Sequence, residues 1–137
     1  MHRDAIVVPG LPPLAPFSPA VRAPCQGSRL VYLSGQVGLD PGTGKLVDGG
    51  FEREVEQALR NMAAVLDAAG LGFDDVIKVN VYLARMDDFA RFNAIYACHF
   101  RAPYPAGTTI AVAGLPLGAS VEMEAIAAGP AGATAGP

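Results

Sequence analysis

Tryptophan is missing from this chain, and aromatic residues make up only 7% of its 137 positions. Cysteine is nearly missing as well, with Cys25 and Cys98 the only two. Two cysteines cannot build the dense framework of a disulfide-stapled scaffold. They read as free thiols in a reducing compartment, and a cytoplasmic protein is the expectation. Cys98 reads as a helix residue, and a free thiol such as Cys25 is usually a small buried hydrophobe. His2 and His99 are the only histidines. Together with the cysteines they show no metal-ligand spacing, so a bound metal is not expected. Charge is thin, at 17% of residues, and the formal net charge is -3. The ten Lys and Arg residues form no cluster. That argues against a nucleic-acid partner, whose affinity rests on basic residues meeting phosphates. The N-terminal apolar run is too short for a signal peptide, and no run approaches the ~20 apolar residues of a membrane span. The glycine-rich stretches lack phosphate-loop spacing.

What the chain does have is apolar residues, 51% of the total. That suffices for one packed core and one domain. Residues 9–19 carry five prolines and are excluded from helix and from central strand. They form an extended lead-in, held by Leu11, Leu14 and Phe17 or by a partner. Val21–Cys25 and Arg29–Gly35 alternate on either side of Gln26-Gly27-Ser28, a hairpin signal. Asp40-Pro41-Gly42-Thr43-Gly44-Lys45 is a turn by composition.

Phe51–Ala69 is the clearest helix, with Phe51, Val55, Leu59, Met62, Leu66 and Ala69 on one 3.6-residue stripe. Glu52 and Glu54 suit the helix dipole in its first turn, and Gly70 is a left-handed stop against which Leu71 can pack back. Val76–Leu83 alternates as a half-buried strand, with Ile77, Val79, Val81 and Leu83 on the apolar face. Asp87 or Asp88 caps a second helix at about 89–100, striped by Phe89, Phe92, Tyr96, His99 and Phe100; Pro103 and Pro105 prevent its continuation.

Two extended runs close the chain, Thr108–Ala113 and Ser120–Ala128, joined by Gly114-Leu115-Pro116-Leu117-Gly118. In the second, Val121, Met123, Ala125 and Ala127 point one way, and Glu122, Glu124 and Ile126 the other. Two carboxylates on one face of an apolar strand are the most suggestive chemistry in the sequence. Residues 1–128 therefore read as one α+β domain ordered strand, strand, helix, strand, helix, strand, strand. Residues 129–137 have nothing to bury and are expected to be a disordered tail. Two helices can cover only one face of the sheet. Its other, largely apolar face is then expected to be covered by further copies of the chain.

The ordered set Pro16-Phe17-Ser18-Pro19, Tyr32-Leu33-Ser34-Gly35-Gln36, Asp40-Pro41-Gly42-Thr43-Gly44, Gln57-Ala58-Leu59-Arg60-Asn61, Ala69-Gly70-Leu71, Phe92-Asn93, Tyr104-Pro105-Ala106 and Glu122-Met123-Glu124-Ala125-Ile126-Ala127 resembles the RidA/YjgF (L-PSP) family over about residues 5–128. The resemblance implies a chorismate-mutase-like fold, with one mixed or antiparallel sheet and two helices on one face. It implies a homotrimer whose sheets line a central barrel, with small-molecule clefts between subunits. It also implies hydrolysis of reactive imines and enamines such as 2-aminoacrylate, without a cofactor.

Carried over by position, Phe17, Ser34, Gly35, Asn93, Gly107, Thr108 and Thr109 are the implied substrate-binding residues. Glu124 is the carboxylate that would orient water, with Glu122 its structural companion; the alternative for Glu124 is a structural role at backbone amides or a neighbouring subunit. Three positions depart from the family pattern. Gly107 stands where deaminating members carry a carboxylate-clamping arginine, Thr109 where a cysteine is frequent, and Phe17 where a tyrosine is. Arg22, Arg85 and Arg101 are other cations of the chain that could substitute for the arginine. The chain looks like an arginine-lacking branch, which points to an imine or enamine substrate other than aminoacrylate. A non-catalytic metabolite-binding or regulatory trimer is the second reading, and an L-PSP-type endoribonuclease or translation inhibitor the third.

Overall fold

The computed structural model describes residues 3–11 and 15–130. Leu14 and His2 therefore lie outside the described residues. The strands are β1 (Asp4–Ile6), β2 (Ala20–Cys25), β3 (Ser28–Gln36), β4 (Leu39–Asp40), β5 (Lys45–Leu46), β6 (Val76–Leu83), β7 (Ala106–Ala111) and β8 (Val121–Pro130). The helices are α1 (Phe51–Ala68), between β5 and β6, and α2 (Phe89–His99), between β6 and β7. Six strands form one mixed sheet in the order β1-β2-β3-β8-β6-β7. Every pairing in it is antiparallel except β6 with β7, which α2 connects. β4 and β5 make a separate small hairpin around the turn at 41–44. The fold is thus a single α+β domain with one main sheet and two helices.

Periodicity places the core. The α1 stripe of Val55, Leu59, Met62 and Leu66 is fully buried, and it meets Val31, Leu33, Val79, Val81, Val121 and Met123 from one face of the sheet. Each such side chain contributes about 1.5–3 kcal/mol on leaving water. Helix α1 stops where Gly70 takes φ 77°, a region open to glycine at little cost. The Gly70 N–H then donates to Asp67 O and the Leu71 N–H to Leu66 O, both at 2.9 Å. These bonds satisfy carbonyls that the helix end leaves open.

Several local expectations shift for physical reasons. A short strand, β1, pairs with β2 and buries Ile6; its run of apolar residues is too brief to stand out in the sequence. The register of β6 against β8 shifts between Val76 and Lys78, so Val76 turns inward and Ile77 faces solvent at 49% exposure. Asp88 makes no capping hydrogen bond to α2; its carboxylate is taken instead by Arg91. Phe89 is exposed rather than part of the buried stripe, while Phe92 and Phe100 are buried as expected. Both cysteines are exposed, against the expectation for free thiols. β8 runs on to Pro130, with Gly129 opposite Arg29 and Pro130 opposite Ser28, so the strand takes two residues assigned to the tail. The remainder of that stretch lies outside the described residues.

Two polar anchors fix the helix layer to the segments that later build the site. Glu54 accepts from both the N–H (2.9 Å) and the hydroxyl (3.0 Å) of Ser120, tying α1 to the start of β8. Asn61, at 2% exposure, interrupts the apolar stripe of α1. Its amide nitrogen donates to the carbonyls of Val37 (3.1 Å) and Leu39 (2.8 Å), and its oxygen accepts from Gln57 (2.9 Å). Replacing Asn61 by Leu leaves two carbonyls without their donor, at a cost of about 1–3 kcal/mol. Urea unfolding of Asn61→Leu is expected to show that loss with an unchanged m-value; a midpoint equal to wild type would remove Asn61 as the anchor of residues 37–39.

Candidate functional site

A bulge creates the site. On β3, Leu33 lies opposite Ala125 and Gln36 opposite Met123, so three steps along β3 match two along β8. The extra residue falls at Ser34-Gly35. It turns the end of β3 away from an even ladder and opens a space beside Glu122, as a bulge re-aims side chains next to it. Gly35 faces that space without a side chain. A Cβ there would stand 2.7 Å from Glu122 Oε2, closer than real contacts allow. The missing methyl is what gives the Glu122 carboxylate its place.

The proline-rich lead-in closes the other side. The Ser34 hydroxyl donates to Ser18 O at 2.6 Å, and the Ser34 N–H donates to Pro19 O at 2.9 Å. These bonds hold Phe17 and Pro19 against the end of β3. The result is a cavity of about 500 Å³ walled by Leu11, Phe17, Val37, Leu39 and Leu117, with Ser34, Gln36 and Glu122 beside Gly35 as its polar edge. Leu117 reaches the wall from a short turn in which its φ is 61°, an unusual conformation for a residue with a side chain.

Glu122 is half-buried here. Burial, followed by the charge of Glu124, pushes its carboxyl above the ordinary carboxylate value. Glu124 lies two residues along the same face but not in the cavity wall. Its Oε1 accepts from the Tyr82 hydroxyl at 2.5 Å. That bond is the main reason the Tyr82 hydroxyl titrates above its usual range; burial and the charges of Glu124 and Glu122 act in the same direction.

The other implied residues fall elsewhere. Gly107, Thr108 and Thr109 lie on β7 at the sheet edge, with β6 between them and β8. Two strand spacings, about 10 Å, therefore separate that strand from β8. Thr108 pairs with Asn80, and Asn80 with Glu124, so Thr108 shares the outer face with the glutamates. At Gly107 a Cβ would sit 3.0 Å from the Val79 carbonyl oxygen, a tight fit for any side chain. Asn93 is exposed in the helix layer and does not line the cavity. Phe17, Ser34 and Gly35 line one cavity, but the carboxylate that meets them is Glu122 rather than Glu124. Parity could not separate the two glutamates, because both point outward from β8. None of the alternative cations reaches the cavity: Arg22 is buried on the core face of β2, Arg85 pairs with Asp87 at 2.8 Å, and Arg101 binds Asp74.

Comparison with known proteins adds an independent line. The family described as "Endoribonuclease L-PSP" matches residues 9–129. A mouse 2-iminobutanoate/2-iminopropanoate deaminase is 48% identical over 114 residues, covering 83% of this chain and 82% of its own. The crystal structure of yeast Mmf1 superposes with a TM-score of 0.82 at 36% identity, covering 92% of this chain and 98% of its own. RidA from the Antarctic bacterium Psychrobacter sp. PAMC 21119 gives 0.81 at 37% identity, covering 90% and 98%.

The raised Glu122 carboxyl has a signed consequence. The folded state holds this proton more tightly than the unfolded chain does. Its contribution to stability is therefore present in acid and lost as pH rises through the folded value. Glu122→Gln is accordingly expected to melt above wild type at neutral pH, with the difference vanishing toward about pH 4, where ordinary carboxylates take up protons. Thermal melts at both pH values check this; a variant less stable than wild type at neutral pH contradicts it.

Proposed function

This chain belongs to the L-PSP endoribonuclease family, the YjgF/RidA proteins, and from that membership and the Glu122 cavity we propose that it hydrolyses imines or enamines to carbonyl compounds and ammonia. The observation that carries the reading is a half-buried carboxylate, shifted upward, at the edge of a mostly apolar cavity. A general base works best when its pKa approaches the working pH, and burial moves Glu122 in that direction. In this reading Glu122 takes a proton from water as the oxygen attacks the imine carbon. It then returns the proton to the nitrogen of the carbinolamine as the C–N bond breaks, and the hydroxyl proton passes to the departing ammonia as the carbonyl forms. Phe17 and Leu117 shape the apolar wall, and Ser34 holds the lead-in closed. Glu124, tied to Tyr82, raises Glu122 electrostatically and stays out of the reaction.

The working form in this proposal is a homotrimer. The outer sheet face carries Tyr32 and Ile110 at 48% and 45% exposure beside Ile126, an apolar surface suited to cover by other copies. A neighbouring copy would bring the β7 segment Gly107–Thr109 against the cavity, whereas within one chain β7 lies two strands away from β8, about 10 Å. With glycine at 107 that segment supplies hydroxyls and backbone groups but no cation, in keeping with a substrate other than 2-aminoacrylate. The net charge of -3 and the acidic edge of the cavity suit a small molecule better than RNA.

Three variants test the roles. With imines generated in place and their decay followed against the uncatalysed rate, Glu122→Gln is expected to lower kcat/KM by about 10²–10⁴-fold. Glu124→Gln should cost far less, and equal losses in the two would sink the assignment. Gly35→Ala is expected to keep the wild-type circular dichroism while losing activity as Glu122→Gln does, because its methyl takes the space of the carboxylate rather than of the backbone. Light scattering is expected to give three copies; a stable monomer would contradict the assembly.

A further inference from the structure

Two glutamates share one face of β8, and a single hydroxyl distinguishes them. Glu122 and Glu124 alternate along the strand, so they leave the sheet on the same side, about 7 Å apart. On β6, Tyr82 stands opposite Glu122 and Asn80 opposite Glu124. The hydroxyl of half-buried Tyr82 does not go to the glutamate with which Tyr82 pairs. It crosses the diagonal, a span that an aromatic side chain covers, and donates to Glu124 Oε1 at 2.5 Å. The bond joins neighbouring strands of one sheet. Its geometry follows from the register of β6 on β8 rather than from what covers the outer face.

Carboxylates this close titrate as a pair, and the better supported anion leaves the proton to its neighbour. A hydroxyl donating to a carboxylate supports the charged form. Glu124 has that donor. Glu122 lies against the cavity wall, where burial, followed by the charge of Glu124, raises its carboxyl. The bond to Glu124 is also the main cause that pushes the Tyr82 hydroxyl up, so Tyr82 remains a donor throughout the range in which carboxylates titrate. Among the described residues, the other titratable groups facing the pair from β3 and β6 are Tyr32 and Lys78, both opposite Ile126. Lys78 is thus nearer to Glu124 than to Glu122, and its charge favours the same division. From β7 the face receives Thr108 and Ile110, which do not titrate, and the cavity wall beyond Glu122 has no titratable group.

We propose that Tyr82 is a positioning residue: by binding Glu124 it fixes that carboxylate as the anion of the pair and sends the pair's proton to Glu122. Its use in catalysis rests on the deaminase reading above; the division of the proton rests on the hydrogen bond alone. In that reading the proton taken from water must be held where it can be returned to the carbinolamine nitrogen. On Glu122 it is held at the cavity. On Glu124 it would lie off the cavity wall, out of reach of the reacting atoms.

Carbon-13 NMR of the glutamate side-chain carboxyls tests this without reference to turnover, with Glu122→Gln and Glu124→Gln identifying the two signals. In Tyr82→Phe the midpoint of the Glu122 signal is expected to fall by about 0.3 unit or more and to spread over two steps. Glu124 then takes part of the proton and is free to turn its charge away. Glu124→Gln is expected to lower the Glu122 midpoint at least as far, and adding Tyr82→Phe to Glu124→Gln is expected to change nothing further. An unmoved Glu122 signal in Tyr82→Phe overturns the inference. So does a fall of equal size with and without Glu124, because Tyr82 would then not act through it. The acid limb of kcat/KM for an imine generated in place is expected to move to lower pH together with the Glu122 signal. If the signal moves and the limb stays, or if no imine is turned over, Glu122 loses its place as the base and the role of Tyr82 in dividing the proton stands.

Discussion

The geometry around Glu122 depends on one absent methyl group in an uneven ladder. Where β3 carries an extra residue against β8, the chain places a glycine, and the carboxylate of Glu122 occupies the space a Cβ would need. A regular ladder would set Ser34 and Gly35 in line with their neighbours and leave the glutamate as one more polar residue on an open sheet face. The bulge instead makes a corner, and the corner becomes a cavity once Ser34 holds residues 18 and 19 across it. Backbone geometry, a missing side chain and two hydrogen bonds thus convert an exposed acid into a half-buried one.

The rest of the fold holds that corner in place. β8 is central, paired with β3 on one side and β6 on the other, and its inward residues are among the most buried of the chain. An apolar core packed at crystal-like density gives its strand little freedom to shift, so the outward residues of β8 inherit that rigidity. Glu54 grips the start of the strand through Ser120, and Asn61 grips residues 37–39, which wall the cavity. Each of these two polar residues of α1 satisfies groups on a segment that lies just outside the strands of the main sheet.

The same arrangement sets the electrostatics. Burial alone would raise Glu122, and Glu124 adds like charge from the same face. Glu124 in turn accepts a hydrogen bond from the Tyr82 hydroxyl on the neighbouring strand. The pair divides labour between two chemically identical side chains: one is solvated by a hydrogen bond, the other is set against apolar walls. A carboxylate in the second position is a better proton carrier, a consequence of its loss of water.

Much of this was legible in the residues. The 3.6-residue stripe of α1, the stop at Gly70, the alternation of β8 and the hairpin at 26–27 are local patterns that the burial of a single face imposes. They fixed the α+β class and the outward direction of both glutamates, and family resemblance pointed to Phe17, Ser34 and Gly35, which the fold brings to one cavity. Other features were beyond such reading. Ile77 faces out and Val76 in because a register shift depends on the strand alongside. Gly107–Thr109 lie two strands from the cavity because sheet order is set by connections, not by sequence distance. Which glutamate enters the cavity was decided only in the tertiary structure: alternation sends both to the same face, and only the extra residue at Ser34-Gly35 makes room for one of them.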